Sequence, residues 1–99
     1  MARCFYCDAP LSIRRLDANP TSDHVYPQAS LKSHPEIKGN PLNRVPCCHL
    51  CNSYKGRLHP LDWLVIMANP ARAKKLAERL VELGESMDEV FDAMRRRKR

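Results

Sequence analysis

Two Cys-x-x-Cys pairs, Cys4-Phe5-Tyr6-Cys7 and Cys48-His49-Leu50-Cys51, frame a stretch that carries an acid next to a histidine, Asp23-His24, and lead directly into Asn52. A Cys-x-x-Cys turn aims two thiolates at one ion, and two such turns complete the tetrahedral set that structural zinc takes. Forty residues separate Cys7 from Cys48, so one bound ion would close a long loop and couple metal binding to folding. Cys47 leaves an alternative open, because it makes a Cys-x-x-x-Cys spacing with Cys51. The spacing shared with the first pair favours Cys48 and leaves Cys47 as a small buried residue. His49, inside the second knuckle, is read as pointing outward.

Asp23, His24 and Asn52 suggest chemistry rather than scaffolding. A carboxylate is a good ligand for a hard divalent cation, and an amide oxygen from Asn52 can bind the same ion. A neutral imidazole is a general base near neutral pH. Together they would let His24 activate a water while a metal stabilises charge on a phosphate. Neighbours on a strand point to opposite faces, so cooperation of Asp23 with His24 calls for a twist or a bulge.

The elements that must hold these residues are short at the front and helical at the back. Residues 3–8 read as a tight knuckle. Leu11 and Ile13 alternate with polar neighbours, which predicts a short strand over residues 11–16. Residues 17–20 read as a turn, and residues 21–26 as a returning strand ended by Pro27. Residues 28–41 read as a long loop with a helical turn around residues 28–32. A loop of that length in so small a chain is usually functional or mobile. A third short strand is expected over residues 42–45, before Pro46. Helices are expected over residues 50–57, over residues 60–67, and over residues 71–83 after Pro70, where Ala73, Leu76, Ala77, Leu80 and Leu83 recur at helical spacing. Ser86 and Glu89 form a capping-box pattern opening a last helix with Val90, Phe91 and Met94 on its buried side. The fold class is α+β.

The chain has 99 residues, eight prolines and three glycines, the size of one domain with a small core that a metal staple would help. No apolar run approaches the length of a membrane span. The start, Met1-Ala2-Arg3-Cys4, lacks an apolar signal core, which points to the cytoplasm. In that reducing compartment cysteine pairs favour metal over disulfide, as does the odd total of five. The net charge of +6 is uneven: residues 1–57 hold eight Lys/Arg against four Asp/Glu, residues 58–94 hold four against seven, and residues 95–99 are all basic. A basic front and a basic tail fit a polyanionic partner.

In order and combination, Cys4-x-x-Cys7, Asp23-His24-Val25-Tyr26-Pro27, Leu42-Asn43-Arg44-Val45-Pro46, Cys48-x-x-Cys51-Asn52-x-x-Lys55-Gly56 and Pro60-x-x-Trp63-Leu64 resemble the HNH endonucleases of the ββα-metal fold. The resemblance covers residues 4–64. It implies a zinc-stabilised ββα-metal nuclease core over residues 1–59 and a helical extension with a basic tail over residues 60–99, together one domain. It also implies roles: His24 as the base that activates water against a DNA phosphodiester, and Asp23 and Asn52 as holders of a catalytic divalent ion such as Mg²⁺ or Mn²⁺. Asn43 would orient the loop or the His24 ring, while Cys4, Cys7, Cys48 and Cys51 hold structural zinc. Lys55 and Arg57 would lie where they can meet phosphate, and Arg95, Arg96, Arg97, Lys98 and Arg99 would contact DNA backbone without reading sequence. The segment after Pro27 departs from the family in lacking its usual glycine pair, and Asn52 stands where many members carry histidine. Small standalone members are often encoded by phages beside packaging genes, which implies a targeting or packaging protein as a partner. The competing class is a catalytically silent zinc-knuckle module that binds nucleic acid or protein.

Overall fold

The computed structural model describes residues 2–16 and 18–97. The fold is α+β. Among the described residues it has one two-stranded antiparallel sheet, β1 (Pro20–His24) against β2 (Arg44–Cys48), and four helices: α1 (His49–Lys55), α2 (Pro60–Ile66), α3 (Pro70–Glu82) and α4 (Met87–Arg96). Among the described residues no helix is long and apolar enough to cross a membrane.

The register pairs Asp23 with Val45 and Thr21 with Cys47, and on the other face His24 with Arg44 and Ser22 with Pro46. Asp23, Val45 and Cys47 are buried, whereas Ser22, Arg44 and Pro46 are exposed. The period-two alternation of a strand thus separates an inward face from a solvent face. β2 begins two residues later than the sequence suggests and runs through Pro46 into the second knuckle; residues Pro41–Asn43 form a 3₁₀ turn instead. Proline is tolerated because its missing N–H falls on the strand's outer edge. On that edge the Pro46 carbonyl accepts the Phe5 N–H at 2.8 Å, which fastens the first knuckle to the sheet.

The strand expected over residues 11–16 does not form. Pro10 makes only an isolated bridge to Arg3, and Ile13 and Leu16 are 83% and 78% exposed. Apolar alternation produces a strand only where a partner edge and a face to bury are available, and here the other edge of the sheet goes to the knuckle. The 3₁₀ turn Gln28–Ser30 does form at the start of the long loop.

The helices carry their own stop and start signals. Cys48 Sγ accepts the Cys51 N–H at 3.4 Å, so the second knuckle caps α1. His59 Nδ1 accepts from Leu61 and Asn69 Oδ1 from Arg72, each with proline in the first turn behind it, the preferred arrangement at a helix start. The capping box expected at Ser86 is absent: Ser86 caps α4 without a side-chain bond, its carbonyl accepts the Val90 N–H, and its own N–H goes to Glu85 Oε2 at 3.3 Å rather than to Glu89. Leu64, Ala73, Leu76, Leu80, Val90 and Ala93 form the interior of α2–α4. Phe91, expected inside, is 53% exposed. The buried row runs through Val90, Ala93 and Met94, which turns the neighbouring position 91 outward.

The two halves are tied by specific bonds. Arg72 donates to the Phe5 carbonyl at 2.9 Å, and the guanidinium groups of Arg72 and Arg79 lie 5.3 and 5.0 Å from the Phe5 ring centroid, within cation–π range. Arg79 also donates to the Leu42 carbonyl, and the Tyr26 hydroxyl to Glu85.

Candidate functional site

The Sγ atoms of Cys4, Cys7, Cys48 and Cys51 all lie within 4.8 Å of one another, and this group can hold a metal ion. Cys7 Sγ and Cys48 Sγ are 3.8 Å apart. A regular tetrahedron of sulfurs about 2.3 Å from zinc has edges of about 3.8 Å, so the donor set fits that ion in both chemistry and size. Cys47 is fully buried outside the group, and its thiol donates to the Cys48 carbonyl at 3.3 Å. Its partner across the sheet is Thr21, which puts it on the inward face. The neighbouring cysteines, Cys47 foremost, hold the Cys4 thiol far below its usual range. Burial, helped by the neighbouring Cys4, pushes the Cys7 thiol up to about 11. The bond to Cys4, followed by burial, pushes Cys51 strongly up. Zinc takes cysteine as the thiolate, so ion binding releases the protons that the cluster still holds.

On the inward face of β1, Asp23 is 7% exposed. Its Oδ2 accepts the Tyr6 hydroxyl at 2.7 Å and lies 3.1 Å from Lys55 Nζ. Lys55 Nζ donates also to the His24 carbonyl at 3.0 Å. Lys55 is thus fully buried, supplying the positive charge that a buried carboxylate needs; the residue expected at a phosphate faces inward. One turn earlier on α1, Asn52 Nδ2 donates to Thr21 Oγ1 at 3.1 Å, and that hydroxyl donates to the Cys47 carbonyl at 2.6 Å. α1 thus reads β1 residue by residue, Asn52 on Thr21 and Lys55 on Asp23. Among the described residues no hydrogen bond reaches Asn52 Oδ1 or Asp23 Oδ1. A carboxylate and an amide oxygen suit a hard divalent cation. Burial, followed by the adjacent carboxylate, holds the Tyr6 phenol proton well above the ordinary range.

His24 ends β1 on the opposite face, beside its cross-strand partner Arg44. The regular alternation of β1 puts Asp23 and His24 back to back, without the bulge that would aim them together. His24 is half-buried and lines an open cleft of about 540 Å³, together with Gln28, Lys32, Lys38, Asn40 and Arg44. Directly behind it, Asn43 clamps the chain. The Asn43 carbonyl accepts the Val25 N–H at 2.8 Å, its Oδ1 accepts the Tyr26 N–H at 2.8 Å, and its Nδ2 donates to the Tyr26 carbonyl at 3.2 Å. Asn43 therefore orients the loop that follows His24.

The remaining expected contacts scatter. Arg57 is exposed beyond α1. Arg95 and Arg96 are exposed and pair with Asp92. Arg97 turns back, donating to the carbonyls of Leu64 and Met67 at 2.7 and 2.9 Å, and so closes the end of α2 rather than extending a basic tail. Lys98 and Arg99 lie outside the described residues. His34 pairs with Glu36 at 3.5 Å, and both His34 and His59 pack on the Tyr26 ring. Sequence reasoning passed over Tyr6, Thr21 and the cleft residues Lys32, Lys38 and Arg44. Tyr6 carried a signal, since a residue between paired cysteine ligands is held rigidly. Lys32 and Lys38 carried one in the basic excess of the front half.

Comparison with protein-family models, with curated proteins and with solved structures finds no match for this chain.

Proposed function

We propose that the protein is a metal-dependent DNA endonuclease of the HNH type, in which β1, β2 and α1 form a ββα-metal unit stapled by zinc on Cys4, Cys7, Cys48 and Cys51. The observation that carries this reading is the position of His24. It stands at the end of a strand, at the wall of an open cleft, with the chain behind it fixed by Asn43.

In this reading Asp23 and Asn52 hold a divalent ion from the inward side of the same strand. Such an ion would neutralise charge at the phosphate once a twist at the end of β1 brings the Asp23 carboxylate round to the His24 side, because the regular strand holds the two back to back. His24 takes the proton from an attacking water at an imidazole nitrogen. Asn43 keeps the His24 backbone in register by holding residues 25 and 26. The four cysteines fix α1 against β1, so that Asn52 and the β1 face keep their relation. In this reading cleavage has weak sequence preference, and a partner protein, such as a packaging protein, delivers it to its site.

One observation favours the rival reading, a silent zinc-knuckle module that binds nucleic acid or protein. Asp23 already has its charge matched by Lys55 and its Oδ2 bonded by Tyr6, as in a purely structural ion pair. End-labelled duplex DNA incubated with Mg²⁺, Mn²⁺ or no divalent ion separates the two. The nuclease reading expects metal-dependent cleavage by wild type and its loss, about a hundredfold or more, in His24→Ala. Equal cleavage by His24→Ala would remove His24 from the role of base. No cleavage by zinc-loaded wild type under any ion would favour the silent module.

A further inference from the structure

We infer that the cleft between the end of β1 and residues 28–44 is a seat for a nucleic-acid phosphate backbone, gripped by Lys32, Lys38 and Arg44. The inference deepens the nuclease reading and rests on it for the identity of the polyanion. Three of the ten residues lining the cleft are cations and none is an acid. The cleft lies on the face of the sheet that carries His24 and Arg44, away from Asp23 and Lys55. Glu36 is the single acid of residues 28–41; it engages His34 and does not line the cleft. Among the described residues neither Lys32 nor Lys38 has an acidic partner. Arg44 is held upright by a bond from its Nη2 to Ser22 Oγ at 3.0 Å, which leaves the rest of its donor fork to the cleft. Gln28 and Asn40 add neutral polar groups to the lining, as phosphate and sugar contacts often use.

Several cations elsewhere are internally engaged, Lys55 on Asp23, Arg97 on two carbonyls, Arg79 on Glu82, and Arg95 and Arg96 on Asp92, and those among the described residues without an acidic partner, such as Arg14, Arg57 and Lys74, do not line this cleft. The cleft is where cations without acidic partners gather beside a histidine. A backbone lying there would bring a phosphate to His24, which otherwise faces solvent with nothing to act upon.

The test measures binding apart from cleavage. Zinc-loaded wild type, Lys32→Gln/Lys38→Gln and Lys74→Gln/Lys75→Gln are titrated into a fluorescein-labelled 20-base-pair DNA duplex, in buffer stripped of free divalent ions, at several salt concentrations. The third protein loses the same charge from α3. Loss of two phosphate contacts is expected to weaken binding on the order of tenfold at moderate salt and to lower the salt slope by about 2. The α3 variant should stay within about twofold of wild type. Equal affinities and slopes for the two double variants would overturn the assignment of the cleft, whether or not wild type cleaves DNA. Undetectable binding by wild type would overturn it as well. If the cleft variant alone loses binding while wild type cleaves nothing with any metal, the seat stands and the nuclease reading falls.

Discussion

The front of the molecule and its helical back are held together by different physics. In the sheet, the knuckles and α1, nearly every functional side chain is fixed by a polar contact: Asp23 by Tyr6 and Lys55, Asn52 by Thr21, Asn43 by the backbone of Tyr26, and the cysteines by one another. In α2–α4 the interior is mostly leucine, alanine and valine packed at helical spacing, with Trp63 of α2 set edge-on against Tyr6. Such packing tolerates volume-conserving change. A network of buried polar groups does not, because each lost partner leaves a charge or a dipole unmatched. The contrast suggests a division of labour, with the back as a scaffold and the front as the part whose geometry is specified atom by atom.

The sharpest way to break that contrast is to remove the staple. Cys48→Ser keeps an oxygen that can cap α1 but removes a thiolate. We expect loss of the bound zinc and collapse of the front half, since structural zinc contributes roughly 10 kcal/mol or more to folding of small sites. Zinc content and thermal melting report it, and an unchanged melting point would contradict the structural metal. The corresponding cut in the back, Leu76→Ala, should cost about 2–5 kcal/mol while zinc stays bound. Denaturant unfolding with metal analysis separates the two effects, and zinc loss here would show that the halves do not fold by separate means.

Smaller perturbations probe the polar network itself. Asn43→Ala leaves the buried Tyr26 N–H and carbonyl without their partner, at a cost of about 1–3 kcal/mol. Cleavage should fall further than stability does, because the loop after His24 loses its clamp; cleavage at the wild-type rate would reduce Asn43 to a structural residue. The smallest effect is expected from alkaline pH. Burial, and after it a carboxylate neighbour, holds the phenols of Tyr6 and Tyr26 protonated far above their ordinary value. A group whose folded pKa is raised contributes stability that is complete below its unfolded pKa, about 10 for tyrosine. That contribution is lost as pH climbs above 10 towards the folded value. Denaturant midpoints at successive pH values should decline above pH 10, and Tyr6→Phe should flatten part of that decline. An identical profile in Tyr6→Phe would deny Tyr6 this part in the network.

The same contrast explains what was legible in the sequence. Cysteine spacing, proline at helix starts and apolar periodicity are local signals, and they located the four-sulfur cluster and α1–α3 to within a residue or two. Leu11 and Ile13 misled because a strand needs an edge, and the free edge of β2 goes to Phe5, a contact spanning about forty residues. Ser86 and Glu89 have capping-box spacing, yet the Ser86 side chain makes no cap bond. Residues 95–99 read as one basic tail, but Arg97 finds two carbonyls at the end of α2, thirty and thirty-three residues away. Lys55 shows the limit most clearly. Its place beside Asn52 was visible, whereas its inward turn depends on Asp23, on a strand whose partner and register no local pattern specifies.

In the proposed nuclease the stapled front half would present His24 as a base, and zinc would serve only to hold it. The most direct measurement takes single preparations of wild type and His24→Ala, determines the zinc content of each, and follows the fate of supercoiled plasmid with and without Mg²⁺ or Mn²⁺. One zinc per chain in both proteins, metal-dependent relaxation or linearisation by wild type, and intact plasmid with the variant are expected. Equal cleavage by the two proteins, or no cleavage by fully zinc-loaded wild type, would contradict the proposal.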